Sequence, residues 1–301
     1  MRALVTGAGG FVGAHLAARL VADGWEVVGS VRPGGSSRSL PVGAEIVAAD
    51  LSDPGAVAGL ARLADPDVAF LLAAARASGT PAERATTAAV NGTSGLWLVD
   101  GLPDRCRTVV RLGSSTEYGE ADGPIDESAP LRPRGFFGAT KAAGSLLLTA
   151  AAAERGMRAA VVRAFQVYGP GDHAARFVPS VLRAARTGSV LPLTRPGKRR
   201  DWIYVDDVVE ACVRVALADD LAPGEVLNVG TGDQFANEEL VALAETVTGR
   251  PIAVAAGAHP GRAWDAPSWR CDPSRARQLL GWEAKVALEE GLARCWEAEG
   301  R

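Results

Sequence analysis

Ala-Leu-Val-Thr-Gly-Ala-Gly-Gly-Phe-Val-Gly, residues 3–13, is the stretch that decides the fold. Its apolar start predicts a strand, and a helical pattern follows from about Ala14. Glycines at 7, 10 and 13 permit a tight turn, close approach of the backbone to a pyrophosphate, and packing of helix on strand. The helix N-terminus adds N–H donors and a positive dipole end. The predicted contacts of a dinucleotide are Gly7, Gly10, Phe11, Val12 and Gly13.

The end of the second predicted strand indicates which dinucleotide binds. An NAD site usually presents Asp or Glu there for the ribose 2′-hydroxyl, whereas a 2′-phosphate needs a cation. Here the strand that starts at Glu26 ends in Arg32, with no carboxylate at positions 30 or 31. Arginine pairs with phosphate and stacks on adenine, so we predict NADP(H), against the alternative of a solvated arginine in a polar loop. Further cofactor contacts are predicted at Ser36, Ser37, Asp50 and Leu51, the last two beside the adenine.

Apolar runs alternate with helical patterns as far as about residue 165, and then the alternation breaks. This pattern predicts an α/β fold, a Rossmann-type doubly wound parallel sheet with a smaller discontinuous C-terminal substrate lobe. We expect residues 1–165 to form the NADP-binding domain, with 199–230 returning to it. Residues 166–198 and 231–301 are expected to form the substrate-binding lobe.

Composition excludes several classes of partner. The 301 residues carry a net charge of −3, which offers no cationic surface for nucleic acid. No apolar run reaches the ~20 residues that cross a bilayer, so no membrane partner is expected. The four cysteines lie far apart and form no CxxC pair, so neither a metal site nor a disulfide framework is predicted. We expect a cytoplasmic protein with a small-molecule substrate.

Further motifs follow along the chain. They are LLAAA at 71–75, GSSTEYG at 113–119, PIDESAPLRP at 124–133, FGATKAA at 137–143, VVRAFQVYGPGD at 161–172, RRDWIYVDDV at 199–208, LNVGTG at 227–232 and LLGW at 279–282. Together with residues 3–13 they resemble, in order, the extended short-chain dehydrogenase/reductases of the NAD-dependent epimerase/dehydratase type. The resemblance implies a nicotinamide cofactor, adds Ala73 and Lys141 to its contacts, and suggests a homodimer.

The resemblance also implies a catalytic set and shows where this chain departs from it. In the family, a serine positions the substrate carbonyl, a tyrosine exchanges the hydroxyl proton, and a lysine four residues later holds the nicotinamide ribose and lowers the pKa of the tyrosine. Ser114 matches the serine and Lys141 the lysine, but Phe137 stands in the tyrosine's place. No tyrosine of this chain has a lysine four residues on. The usual proton donor is therefore missing.

Three further positions depart from the family pattern. Ser115 and Thr116 stand where the 4,6-dehydratases place an Asp-Glu pair, which disfavours dehydration by a carboxyl base. Gln166 stands where the family usually has asparagine after Arg-x-Phe. These departures also weaken the expectation of a nucleotide-sugar substrate.

Three functions remain open. The preferred hypothesis is an NADPH-dependent ketoreductase acting on an aromatic polyketide-type natural product of antibiotic biosynthesis. A phenol beside the ketone would assist protonation, with Ser114, Ser115, Gln166 or water as auxiliary donors. One alternative is a 4-ketoreductase of a nucleotide-linked deoxysugar, because GSSTEYG resembles the GDP-linked ketosugar reductases. The other is a non-catalytic NADP-binding protein.

Overall fold

The structure is a computed structural model that describes residues 1–35, 40–76, 79–261 and 266–300, except the side chain of Glu299. Among these residues the strands are β1 (Arg2–Thr6), β2 (Glu26–Val31), β3 (Glu45–Ala48), β4 (Val68–Leu71), β5 (Thr108–Leu112), β6 (Pro124–Ile125), β7 (Arg158–Ala164), β8 (Gln166–Tyr168), β9 (Leu191–Pro192), β10 (Arg199–Arg200), β11 (Trp202–Tyr204), β12 (Glu225–Val229), β13 (Phe235–Ala236), β14 (Val254–Ala255) and β15 (Ser268–Cys271). The α-helices are α1 (Phe11–Ala22), α2 (Pro54–Ala64), α3 (Pro81–Ala88), α4 (Ser94–Gly101), α5 (Phe136–Glu154), α6 (Phe177–Thr187), α7 (Val205–Leu217), α8 (Asn237–Thr248), α9 (Ser274–Leu280) and α10 (Leu288–Glu299).

The chain divides into two compact units. The first comprises Met1–Tyr118, Leu131–Arg163 and Val209–Leu227, and the second comprises Gly119–Pro130, Ala164–Val208 and Asn228–Arg301. This division differs from the predicted one at 119–130, 164–165, 199–208 and 228–230, all of which belong to the second unit. The reason is strand pairing: β6 pairs with β15, and β11 pairs with β8 and not with the large sheet.

The first unit is built on a seven-stranded sheet in the order β12-β7-β5-β4-β1-β2-β3. The pairs from β3 through to β7 are parallel. Strand order reverses at β1, which lies between β2 and β4, and ligands bind at such a reversal, beyond the carboxyl ends of the strands. The predicted Rossmann-type doubly wound sheet is therefore confirmed.

Helix α1 begins earlier than predicted. The sequence pattern placed its start near Ala14, whereas the helix starts at Phe11, directly after Gly10 in extended conformation. Because two of the first three helical residues are apolar and the third is glycine, hydrophobic periodicity does not mark this turn as helical. The early start brings the helix N-terminus to the glycine-rich turn itself.

The core of the first unit lies between the sheet and helices α2, α4 and α5. Leu4, Ala69 and Val109 on three neighbouring strands are fully buried against Leu98 and Leu148 of the helices. A fully buried Leu or Val side chain contributes about 1.5–3 kcal/mol. This packing fixes the sheet edge from which the loops after β1, β4 and β5 leave.

Helix α5 is the one helix among the described residues with the length and composition of a membrane span. It has 19 residues and a mean hydropathy of 1.3, but half of it is buried inside the protein. Gly144 and Lys141 are among its buried residues, and a lysine in the buried stripe is unlike a lipid-facing surface. Its apolar character is therefore that of a core helix.

The second unit holds a four-stranded sheet, β13-β10-β15-β6, and the pairs β11-β8 and β14-β9. Asp201 is fully buried in it, and its carboxylate accepts from the N–H groups of Thr231, Gly232 and Cys271 at 2.8–3.1 Å. These bonds tie β10 and β15 to the turn after β12.

All four cysteines are free thiols in the interior. Cys106 and Cys212 belong to the first unit, Cys271 and Cys295 to the second, and each is buried. Burial raises the pKa of Cys106 and of Cys212 to about 12.

Candidate active site

The turn after β1 forms a cradle that only glycine can build. Gly7 has a φ of +70°, in the left-handed region, and a Cβ there would lie 2.7 Å from the Cα of Ala73 in the loop after β4. A Cβ on Gly13 would overlap the carbonyl oxygen of Gly7. The N–H of Gly10 donates to that same carbonyl at 2.9 Å. The turn is thus closed on itself and packed directly against the neighbouring loop.

This cradle fits a dinucleotide pyrophosphate. Helix α1 starts at Phe11 with no side chain at its N-cap, Gly10, and no acidic residue in its first turn. The first N–H groups of a helix lack intrahelical partners, and its N-terminus carries partial positive charge. The backbone around Phe11, Val12 and Gly13 is therefore available to phosphate oxygens.

The ends of β2 and β3 offer a cation and a carboxylate at the same sheet edge. Arg32 follows β2 directly, is exposed, and accepts the N–H of Gly35 on its carbonyl at 2.7 Å, closing a turn. The Asp50 carboxylate accepts from the N–H and hydroxyl of Ser52 at 2.9 and 2.7 Å, which lowers the pKa of Asp50. Leu51 is half-buried beside it. Ser36 and Ser37 lie outside the described residues.

A 3₁₀ turn after β5 positions Ser114. Its hydroxyl accepts the N–H of Thr116 at 3.2 Å and lies 2.8 Å from the Thr116 hydroxyl. The Glu117 carboxylate closes the same turn by accepting the N–H of Ser114 at 2.9 Å. Ser115 is buried in the turn. A Cβ on Gly138 would overlap the Thr116 carbonyl oxygen, so the start of α5 lies directly against this turn.

Lys141 reaches the carboxyl end of β5. Its side chain is 3% exposed, and its ammonium group donates to the carbonyl of Leu112. Burial, and then the positive charge of Arg111, lower the pKa of Lys141 to about 7. Phe137 lies four residues earlier on α5, and residues at this spacing share a helix face. The structure therefore brings Ser114, Phe137 and Lys141 to one place in the first unit.

Beneath these residues lies a buried charged cluster. Glu117 is fully buried, and its carboxylate accepts from Arg163 at 2.9 Å and from the Ser145 hydroxyl at 3.0 Å. Arg111 is 3% exposed and donates to the carbonyl of Asn91. Burial lowers the pKa of Arg111 to about 10. The cluster holds more cations than anions.

The predicted site residues fall into two groups. Gly7, Gly10, Phe11, Val12, Gly13, Arg32, Asp50, Leu51, Ala73, Ser114, Ser115, Phe137 and Lys141 belong to the first unit. Gln166 belongs to the second unit, where its N–H donates to the carbonyl of Asp201 at 2.9 Å. Its part in the site stays a prediction.

Sequence reasoning missed three residues of this site. Arg76 places its guanidinium carbon 4.2 Å from the centroid of the Phe137 ring. Asn91 is fully buried and binds the loop after β4. Arg111 had a visible signal, a charged residue inside the apolar run Thr108–Leu112, whereas the contacts of Arg76 and Asn91 arise only from tertiary packing.

Fold and site together define a Rossmann protein with a dinucleotide cradle and a buried lysine beside it. Residues 3–230 match the family model described as the NAD dependent epimerase/dehydratase family. The chain belongs to this family, whose enzymes share the short-chain dehydrogenase/reductase fold and a nicotinamide dinucleotide.

Relatives and solved structures agree with this assignment. The chain is 33% identical over 317 residues to a UDP-glucose 4-epimerase of Mycolicibacterium smegmatis, covering 99% of this chain and 98% of the relative. It is 31% identical to a UDP-glucose 4-epimerase of Streptomyces lividans, covering 98% and 94%. The structure of MoeE5 in complex with UDP-glucose and NAD matches with a TM-score of 0.88 at 30% identity, covering 100% of this chain and 99% of that one. A UDP-glucose 4-epimerase of Thermotoga maritima with UDP-glucose also gives 0.88, at 27% identity and the same coverage.

Proposed function

We propose that the chain is an NADPH-dependent ketoreductase in which the substrate, and not a tyrosine, provides the proton for the new hydroxyl group. The observation that carries this proposal is Phe137. It is the second residue of α5, beside the Ser114 turn, and shares a helix face with Lys141. A phenyl ring packs against a substrate but has no proton to exchange.

The three tyrosines of the chain do not supply a replacement acid. Tyr118 is 2% exposed, and its hydroxyl accepts from Arg163 at 2.8 Å. Tyr168 donates to the carbonyl of Leu288 at 3.4 Å, and burial raises its pKa far above the ordinary value. Burial also raises the pKa of Tyr204 to about 12. A phenol with a raised pKa is a weaker acid than an ordinary tyrosine.

The residues of the first unit would hold the cofactor and the ketone as follows. Gly7, Gly10 and the start of α1 would bind the pyrophosphate, and Lys141 the nicotinamide ribose. When bound, the reduced nicotinamide would supply the hydride that adds to the carbonyl carbon. The cofactor would then be released in its oxidised form. The carbonyl oxygen takes up a proton from a neighbouring phenol of the substrate, and the phenolate is reprotonated by water. This transfer is downhill, because a phenol, with a pKa of about 10, is a stronger acid than the alcohol that forms.

We assign NADP and not NAD to the site because of Arg32. It is the charged residue directly after β2, and its turn to Gly35 holds it at the sheet edge. A guanidinium donates two parallel hydrogen bonds to a phosphate, whereas it has no preference for a ribose hydroxyl.

The proposal is tested with three matched ketones. NADPH oxidation is followed with 8-hydroxy-1-tetralone, 8-methoxy-1-tetralone and 1-tetralone, which differ only in the group beside the ketone. We expect the hydroxy compound to turn over about 100-fold faster than the other two, the usual contribution of a positioned acid. Equal rates for the hydroxy and methoxy compounds would refute substrate-assisted protonation.

The variant Phe137→Tyr provides the complementary test. With 8-hydroxy-1-tetralone it should turn over no faster than the wild type, because the acid is already present. A gain of about 100-fold or more would instead identify a standard mechanism that has lost its donor. Absence of turnover with every ketone would favour the non-catalytic NADP-binding alternative.

A second candidate function is favoured by the relatives. Several are UDP-glucose 4-epimerases, and MoeE5 was solved with UDP-glucose, so reduction of a nucleotide-linked ketosugar is the alternative. Thermal shifts with UDP, dTDP and GDP in the presence of NADP distinguish the two, because only the ketosugar reductase has a second nucleotide-diphosphate site. In the preferred function the chain would be a tyrosine-free member of the family, and we propose a likeness to the angucyclinone ketoreductase of simocyclinone biosynthesis. A cytoplasmic homodimer stays a prediction.

A further inference from the structure

We infer that Arg76, whose guanidinium lies over the ring of Phe137, is the residue that holds the substrate oxyanion. The inference rests on the proposed function, since it names the group that stabilises the oxygen of the reduced ketone. It assigns a catalytic contact to a residue that sequence motifs do not mark. It also specifies the ligand class: a ketone, or an anion that imitates its reduced oxygen.

The first observation is the position of Arg76. It lies five residues beyond the end of β4, at the sheet edge where the cofactor cradle is built. Its guanidinium carbon is 4.2 Å from the centroid of the Phe137 ring, an attractive cation–π distance. The side chain is exposed and the ring half-buried, so the charge lies on the open side of the ring. The phenyl ring that replaces the family's tyrosine thus has a cation over one of its faces.

The second observation is a network that fixes this position. The amide of Asn91 accepts the N–H of Ala75 at 2.8 Å and donates to the carbonyl of Ala75 at 2.9 Å. The same amide donates to the Thr140 hydroxyl at 3.0 Å, which donates to the carbonyl of Phe137 at 2.9 Å. The backbone just before Arg76 is thereby tied to the backbone of Phe137. Asn91 lies in a π-helical stretch, Ala89–Thr93, a conformation frequent at functional sites.

The third observation is the charge around the site. Lys141, Arg111 and Arg76 are near enough that both arginines help to lower the pKa of the lysine, after burial. The single nearby carboxylate among the described residues of this cluster, Glu117, is bonded to Arg163. Positive charge therefore exceeds negative charge beside Phe137, which favours an oxyanion over a neutral ligand.

The chemistry of a guanidinium defines what Arg76 does. It keeps its protons at neutral pH, so it donates hydrogen bonds to the developing alkoxide but does not supply the proton. The proton still comes from the phenol of the substrate. Arg76 stabilises negative charge before that proton arrives, and a donor of this kind contributes about 10²–10³-fold to kcat.

The test uses salicylate, a carboxylate next to a phenol, as a stable imitation of the anion. Its affinity is measured by calorimetry with and without saturating NADP⁺ for the wild type and for Arg76→Met, Arg76→Lys and Arg84→Met. Arg84 is the matched control: it is exposed, and its guanidinium donates to the carbonyl of Gly79 at 3.2 Å. We expect Arg76→Met to weaken salicylate about 10–100-fold, the worth of hydrogen bonds to a charged group. Arg76→Lys should recover part of the affinity, and Arg84→Met should match the wild type.

Three results would overturn the inference. They are failure of the wild type to bind salicylate, equal affinity in the wild type and Arg76→Met, and a loss of NADP⁺ affinity in Arg76→Met with salicylate binding unchanged. The last result would place Arg76 on the cofactor. Because salicylate binding requires no turnover, failure of the ketone assays leaves this test standing, and the two proposals fail separately.

Discussion

Lys141 should make the stability of the protein depend on pH. The lysine is 3% exposed, and burial together with Arg111 lowers its pKa from 10.5 to about 7. One pKa unit corresponds to about 1.4 kcal/mol, so the charged lysine costs the folded state about 5 kcal/mol at low pH. In the unfolded chain the lysine keeps its proton up to about pH 10.

The folded and unfolded states bind different numbers of protons between the two pKa values of Lys141. Between about pH 7 and pH 10 the unfolded state binds more protons than the folded state, so stability rises with pH in that range. Below the folded pKa both states are protonated, and the full cost is present. The variant Lys141→Met removes this titration, while its other effects, including loss of the bond to Leu112, do not depend on pH.

The assay is urea unfolding of the nucleotide-free protein at several pH values. The difference in free energy of unfolding between Lys141→Met and the wild type should shift by about 2–3 kcal/mol from pH 6 to pH 9, in favour of the wild type. Lys285→Met is the control, because Lys285 is exposed and its variant should differ from the wild type by a constant amount. A difference for Lys141→Met that is equal at both pH values would show that the lysine titrates normally and would refute the reasoning.

Three further predictions concern the cradle, the buried pair and the cofactor choice. Glu117→Gln leaves Arg163 buried without its carboxylate and should lower the free energy of unfolding by about 3–5 kcal/mol, measured in urea; a loss below 1 kcal/mol would contradict the pairing. Gly13→Ala places a methyl group against the Gly7 carbonyl and should weaken NADPH binding in calorimetry by about tenfold or more, since well-packed sites lose about 1–3 kcal/mol on overpacking. Arg32→Ala should weaken NADPH about 10–100-fold and leave NADH nearly unchanged, and equal losses would point to NAD.

Local patterns in the sequence were sufficient for the sheet. The apolar runs at β4 and β5 are buried on both faces, which is what a central parallel strand requires, and the sequence shows each as a short apolar segment between helical patterns. The run Trp202–Val205 is also apolar, but its first three residues pair with β8 and not with the large sheet, because tertiary contacts decide which strands pair. Its last residue instead begins α7, where Asp206 and Asp207 suit the first helical turn.

The candidate site was predictable only where spacing along the chain sets geometry. Phe137 and Lys141 lie four positions apart on one helix, so they share a face. The three glycines of one turn build the cradle. The tie between Asn91, Ala75 and Thr140 spans up to 49 positions and depends on how α5 packs beside the π-helical stretch. No periodicity in the sequence encodes such a tie, and the position of Arg76 depends on it.

The buried cysteines have a practical consequence for experiments on this protein. A thiol reacts as its thiolate, and burial raises the pKa of Cys106, Cys212 and Cys271 while keeping reagents away. A cysteine introduced at Phe136, whose side chain is 46% exposed at the start of α5, would therefore be the preferred target of a maleimide dye. The native cysteines therefore need not be removed before a single dye is attached next to the ring of Phe137.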